Sequence, residues 1–399
     1  MQSRRVLLAA CLALAVLRSL AGNTDTTSVV HRLEAEVVDG AVLHTNAFLE
    51  GYNPEVRTMN RYVTLKAKYA FMPPPGSQTA RIYRGVYQGA GLAYHHLNPQ
   101  IGNPLSAYLF QGATIATLSP RLALNYEWDF GLAYGWKSYA GGERPDNRVI
   151  GSKLTAYMDA NIYLRWRLSP QWDVNLGLSA SHFSNGNTSL PNAGLNMASI
   201  RLSAAYYIGR PSEEPAAGPV PAMQRHWTTD LVLFGGWKRR GTETDFGALI
   251  LPDTYGVAGF YVSPMYHLSH MFNVGASLDA YYDGSANLIV DDTPPATAEG
   301  ETTQANFGDN ISKPSWYRQV TAGISARGEF VMPYFTINFG IGHNFLNCGT
   351  GRFKGFYELL ALKIGLSPST FLHIGYSLYD FQHPNNLMLG VGYRFGARR

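Results

Sequence analysis

A histidine and a serine stand two residues apart at the end of an alternating apolar run, in Ser181-His182-Phe183-Ser184-Asn185-Gly186-Asn187, and Asn196 opens the next such run. Hydrolysis of an acyl ester needs these residue types: a hydroxyl nucleophile, a base to take its proton, a group that fixes the base's tautomer, and donors for the oxyanion. On a strand, residues i and i+2 share a face at about 6.6 Å between Cα atoms, within reach of an Oγ to imidazole hydrogen bond. Ser184 is therefore the candidate nucleophile, His182 the general base and Asn196 the orienting acceptor. A neutral amide fixes the tautomer without the charge by which a carboxylate steadies an imidazolium. Asn185 and Asn192, with the backbone N–H groups around Gly186 and Asn187, are the oxyanion and substrate candidates. An isolated His-x-Ser in a polar rim loop is ordinary, because such residues are common there.

The elements that must position these residues are strands. Trp172, Val174, Leu176, Leu178 and Ala180 form one apolar face, and His182 and Ser184 continue its parity. On the following strand Ala198, Ile200, Leu202, Ala204, Tyr206 and Ile208 alternate in the same way, and Asn196 shares their parity. Unbroken strands would turn all three polar residues outward at the rim, where an enzyme acting on a lipid in the outer leaflet needs them. The flanking segments repeat the period of two: Val63 to Phe71, Leu154 to Leu168, and Arg121 to Lys137, where Leu122, Leu124, Tyr126, Trp128, Phe130, Leu132, Tyr134 and Trp136 share a face. Glu127, Asp129, Asp159, Arg165, Arg167, Asp173 and Arg201 fall on the opposite, inward parity. Their mixed signs suit a hydrogen-bonded plug, since a barrel of about eight strands has no room for an open pore. Short turns at Ser119-Pro120 and Ser169-Pro170-Gln171 mark the periplasmic side, and the longer loops mark the outside.

The chain is poor in charge, at 15%, and rich in aromatics, at 13%, with 41 glycines. After the first two dozen residues no stretch holds the 18 or so continuous apolar residues of a membrane helix. Together these features predict an all-β fold, a transmembrane antiparallel β-barrel with about eight strands in the first half and about eight more in the second. Residues 1–21, with Arg4 and Arg5 ahead of an apolar run and Ser19-Leu20-Ala21 at its end, read as a secretory signal peptide. Cys348 is then the one thiol of the mature chain, so no intramolecular disulfide is expected. A net charge of +4 without a Lys/Arg block excludes nucleic acid as a partner. Residues 24–209 form the first predicted barrel and 210–225, with Pro211, Pro215, Pro219 and Pro221, a stiff linker. Residues 226–399 form the second barrel-like domain. Its strands are expected near 227–237, 246–262, 272–282, 317–326, 330–342, 356–366, 371–379 and 387–395. Leu366-Ser367-Pro368-Ser369 matches Leu168-Ser169-Pro170-Gln171 in position, which suggests a duplication. At the matching place Tyr379-Asp380-Phe381-Gln382-His383 lacks a His-x-Ser pair, so a duplicated site would be lost.

His182-Phe183-Ser184-Asn185-Gly186 followed by Pro191-Asn192-Ala193-Gly194 resembles the motif pair of the lipid A 3-O-deacylase family of outer-membrane acyloxyacyl hydrolases. That family carries a Glu where this sequence has Asn196. The segment also resembles outer-membrane phospholipase A, whose third catalytic residue is an Asn at this spacing from the His. Both resemblances imply an ester hydrolase on a bacterial outer-membrane barrel, with lipid A as the first expected substrate and glycerophospholipid as the alternative. The competing class is a non-catalytic or porin-like barrel. No cofactor is expected; the phospholipase resemblance leaves calcium open, although no carboxylate cluster of calcium-loop spacing lies near Ser184. His95-His96 is the one paired-histidine candidate for a metal, and it reads as a rim pair. The expected partners are a membrane lipid and the outer membrane, with no oligomeric state readable.

Overall fold

The computed structural model describes residues 29–139, 147–212, 218–244, 247–251, 253–290, 311–347, 355–379 and 383–397. The signal-peptide reading, Cys348 and residues 380–382 of the lost-site reading lie outside them. Among the described residues no helix is long and apolar enough to cross a membrane.

The strands run β1 (Val30–Leu43), β2 (Arg61–Met72), β3 (Tyr87–His96), β4 (Leu105–Ser119), β5 (Leu122–Tyr134), β6 (Leu154–Arg167), β7 (Trp172–Ser184) and β8 (Leu195–Ile208). They pair in chain order and β8 returns to β1, closing an antiparallel barrel. Short helices α1 (Ala47–Glu50) and α2 (Gln78–Ile82) lie in the β1–β2 and β2–β3 connections. The alternation in the sequence becomes two surfaces. Leu176, Leu178, Ile200 and Leu202 face out, while Lys66, Lys68, Glu127, Asp129, Asp159 and Arg201 are buried inside. Lys66 Nζ lies 2.9 Å from Asp129 and 2.5 Å from Asp159, and Lys68 Nζ 2.7 Å from Glu36 and 2.9 Å from Glu127. Arg201 joins Glu34, Glu36 and Glu127. Each buried charge thus has a counter-charge, without which burial would be prohibitive.

The barrel end that carries the β1–β2, β3–β4, β5–β6 and β7–β8 loops is sealed by an apolar plug containing Phe48, Leu49, Trp136, Val149, Ile150, Phe183 and Leu195. Here the structure corrects one expectation. Trp136 does not continue the outward face of β5; it is 3% exposed and donates from its indole N–H to Thr155 Oγ1. Gly135, at φ 111°, ends the strand in the left-handed region and turns the chain inward.

The second unit is also a closed antiparallel barrel of eight strands. It consists of β9 (Trp227–Lys238), β12 (Tyr255–His267), β13 (Phe272–Asp283), β16 (Val320–Val331), β17 (Phe335–Asn347), β18 (Phe356–Gly365), β19 (Thr370–Tyr379) and β20 (His383–Phe395). The hairpins β10 (Gly241–Thr244) with β11 (Gly247–Ile250), and β14 (Ile289–Val290) with β15 (Ile311–Ser312), stand apart from it. The single strand expected over 246–262 is therefore two elements, β11 and the start of β12, which belong to different sheets. The expected strand at 317–326 begins three residues later, because Trp316–Gln319 is a 3₁₀ turn ahead of Val320, and the one at 330–342 begins five residues later, because β16 runs on to Val331 and a turn closed by the Met332 N–H on the Phe335 carbonyl follows. The interior is again ionic, with Lys363 between Asp230 and Glu329, and Arg394 on Asp230. One turn recurs in both barrels. At Ser119, Ser169, Ser269 and Ser367 the hydroxyl accepts from the backbone N–H groups two and three residues on.

Candidate active site

β6, β7 and β8 assemble the site at the plugged end of the first barrel. In register, His182 stands between Met158 on β6 and Asn196 on β8, and Ser184 stands beside Ala156. Phe183 and Leu195, the neighbours of these polar residues along the strands, are fully buried. Phe183 packs on Tyr157, Trp136 and His95 with ring centroids 5.0 to 5.2 Å apart. Because alternate residues point to opposite faces, inward Phe183 and Leu195 force His182, Ser184 and Asn196 outward. All three are half-buried, in line with the exposed lipid-facing Leu176, Leu178 and Ile200.

His182 Nδ1 lies 2.5 Å from Asn196 Oδ1. An amide oxygen only accepts, so the ring donates from Nδ1 and carries its lone pair on Nε2, the tautomer a general base requires. Asn192 donates from Nδ2 to Ser184 Oγ at 2.9 Å. Its Oδ1 accepts the Asn185 N–H at 3.1 Å, and the Asn185 amide donates to the Ser189 carbonyl at 2.8 Å. Asn192 is thus the side-chain donor at Ser184 Oγ, while Asn185, 7% exposed, holds Asn192 in place from within the loop. Gly186 and Asn187 follow at φ 64° and 60°, a left-handed pair that starts the turn after β7. Gly194 lies against His182, where a Cβ would sit 3.1 Å from its Cε1 and 3.8 Å from its Nε2. A side chain at 194 would crowd the Cε1–Nε2 edge of the ring.

Below the site, on the lipid-facing wall, four alanines form one row across the sheet: Ala160 pairs with Ala180, Ala180 with Ala198, and Ala198 with Ala41. Bulkier Leu178 and Ile200 stand a step further down, and a shallow groove lined by Asp39, Gly40, Leu178, Ala198 and Ile200 opens there. Reading each strand's outward face in isolation missed this row, since it emerges only when four strands are laid in register. The paired histidines separate across the wall. His95 is buried, bonded to Thr64 Oγ1 and Ser106 Oγ, and His96 faces out, so they do not form a rim pair. Among the described residues no group of three or more His, Cys, Asp or Glu is arranged to hold a metal ion.

A closed eight-stranded barrel with lipid-facing strands, carrying a histidine, a serine and their amide partners at its rim, has the architecture of an outer-membrane acyl-ester hydrolase. Residues 62–205 match the family model described as lipid A 3-O-deacylase (PagL), and residues 227–398 match that of the acyloxyacyl hydrolase C-terminal domain. The chain belongs to the lipid A 3-O-deacylase (PagL) family, and is a lipid acyl-ester hydrolase of the bacterial outer membrane. Among solved structures, the outer membrane enzyme PagL is similar at 18% identity, covering 43% of this chain and 97% of its own, with a TM-score of 0.29. The CymD monoaromatic hydrocarbon channel aligns over 96% of this chain and 92% of its own at 9% identity, with a TM-score of 0.19. No curated protein matches the chain.

Proposed function

We propose that this protein is a serine esterase that removes an ester-linked acyl chain from lipid A in the outer leaflet. The observation that carries the reading is the bond from His182 to Asn196 across one register pair, with Ser184 on the same outward face and the Asn192 amide on its Oγ. In this reading the Ser184 O–H donates toward His182 Nε2 on attack, while its Oγ accepts from Asn192. On attack, Oγ bonds to the ester carbonyl carbon, the proton passes to Nε2, and the carbonyl electrons move onto oxygen, where the Asn192 amide stabilises them. Collapse of this adduct re-forms the carbonyl and breaks the bond to the sugar oxygen, which takes the proton from His182 and leaves as the hydroxyl. Water then repeats the sequence on the acyl-serine and releases the fatty acid. The acyl chain being cut lies along the alanine row, in the groove beneath His182. Residues 24–209 are the catalytic barrel in this reading, 210–225 a linker, and 226–399 a duplicated barrel that lost the site. The recurring serine-capped turns support that duplication.

A second reading, the same chemistry on glycerophospholipids, is favoured by an amide rather than a carboxylate at position 196. Mass spectrometry of lipids from membranes carrying wild type or Ser184→Ala, at matched barrel levels, decides between them. Lipid A lacking one hydroxyacyl mass in wild type only is the expected result. Lysophospholipid in its place would transfer the activity to phospholipids, and identical lipids in both samples would refute the serine mechanism.

A further inference from the structure

The described part of the β5–β6 connection from Asn147 to Gly151 contributes nothing that the chemistry above names, yet three hydrogen bonds tie it to the site loop. The Ala193 and Gly194 N–H groups donate to the carbonyls of Arg148 and Val149 at 3.3 and 3.0 Å. Ser189 Oγ donates to the Gly151 carbonyl at 2.7 Å. Between these bonds the two backbones touch, since a Cβ on Gly151 would lie 2.6 Å from the Leu190 carbonyl carbon and 2.7 Å from both the Leu190 and Pro191 oxygens. The segment itself is fixed at depth. Val149 and Ile150 are buried in the same plug as Phe183 and Leu195. Buried Asn147 donates to the Lys137 carbonyl and accepts the Val149 N–H, and the Tyr139 N–H donates to the Ile150 carbonyl.

We infer that the segment from Asn147 to Gly151 is a strut that sets the position of the Asn192 amide, with Gly151 as a positioning residue at its point of contact. The inference rests on the reading of Asn192 as the donor that stabilises the oxyanion. Asn192 follows Pro191 directly and precedes the two residues bonded to the strut, so its side chain is aimed from a backbone clamped on both sides. Gly151 is where the clamp admits no Cβ. Alanine there must push the 190–191 backbone away, and the amide moves with it. A displacement of this kind weakens an interaction made in the transition state and leaves the lipid-binding wall untouched, so it acts on kcat rather than KM.

The test is lipid A deacylation by the full chain in detergent micelles, with heat-modifiable gel mobility to confirm that each barrel is folded. Asn192→Ala should lower kcat about 100-fold, the scale of one oxyanion donor. Gly151→Ala should lower it roughly 10- to 100-fold, as expected for a misplacement near 1 Å, with KM held within about twofold. In the Asn192→Ala background, Gly151→Ala should cost less than about twofold, because the group it displaces is already gone. Ser189→Ala removes one clamp bond without adding bulk and should lower kcat by about fivefold, which keeps the inference testable should Gly151→Ala fail to fold. Wild-type kcat in both Gly151→Ala and Ser189→Ala, or losses that add to that of Asn192→Ala, would overturn the strut while leaving the site intact. Wild-type kcat in Asn192→Ala would overturn the reading of the site itself.

Discussion

Asn196 is where this site departs most from a charged triad, and substituting it measures what the departure costs. Its Oδ1 accepts from His182 Nδ1 at 2.5 Å, between residues directly opposite one another on β7 and β8. Asn196→Asp is nearly isosteric, so it places a carboxylate oxygen where the amide oxygen stands and adds a charge that attracts the imidazolium formed during attack. Two unit charges 4 Å apart are worth about 4 kcal/mol at an effective dielectric constant of 20 and about 1 kcal/mol in water. The half-buried setting of both residues puts the gain between these limits, and the replacement of a neutral hydrogen bond by a charge-assisted one is worth a comparable increment. We take about 1.4 kcal/mol, which predicts a kcat about tenfold above wild type for Asn196→Asp. Asn196→Ala loses a neutral hydrogen bond of about 1 kcal/mol and the preference for the reactive tautomer, so kcat should fall roughly tenfold. The assay is initial-rate release of hydroxy fatty acid from lipid A micelles, with the folded fraction read by heat-modifiable mobility. Wild-type or slower turnover in folded Asn196→Asp would refute the assignment of Oδ1 as the acceptor from Nδ1, since a carboxylate can only accept. Unchanged turnover in Asn196→Ala would remove Asn196 from the mechanism.

Two further outcomes separate the lipid-facing wall from the barrel interior. Ala198→Trp fills the groove beneath His182, and should raise KM for lipid A about tenfold while leaving hydrolysis of a short soluble ester within about twofold, because only the long chain needs the groove; parallel kinetics on both substrates check it. Lys66→Met leaves the buried carboxylates of Glu36, Asp129 and Asp159 without their shared cation and should destabilise the barrel by about 3–5 kcal/mol, read as a lower temperature of unfolding on gels, with activity per folded molecule unchanged.

The outward placement of the site was legible because parity is the most robust signal a strand carries. From Trp172 to Ser184 every second residue faces lipid without a bulge, so the position of His182 follows from that of Leu176 by counting. The interior charges were legible for the same reason: Glu127, Asp129 and Asp159 had no other face to occupy. Parity fails where the backbone leaves the strand, and Trp136 shows the consequence. One left-handed glycine converts a residue that counts as lipid-facing into part of the plug. Contacts between distant segments were not legible at all. The bond from Ser189 to Gly151 joins residues 38 apart, and nothing in either local sequence specifies it. The roles of Asn185 and Asn192 were separable only in three dimensions, since the same amide type serves at one position to hold the loop and at the other to meet the serine.

A site on the outer wall of a barrel has a problem that a buried site does not. Half of its surroundings are fluid lipid, which cannot hold side chains to the tolerance that catalysis requires. Here the order comes from the other side of the sheet. Each outward residue of the proposed site has an inward neighbour locked in solid packing: Phe183 sits between His182 and Ser184, and Leu195 precedes Asn196. A β-strand transmits that constraint over a single residue, because fixing one side chain inward fixes the direction of the next outward. The plug exists because the loops at this end fold Phe48, Leu49, Val149 and Ile150 back into the barrel mouth. Deeper in the barrel the ionic network fills the interior where apolar side chains give way, and it contacts none of the reacting groups. The plug therefore orders the site and the network holds the barrel interior together, and Tyr157, stacked on Phe183 and bonded through its hydroxyl to Asp159 and Asp129, joins the two.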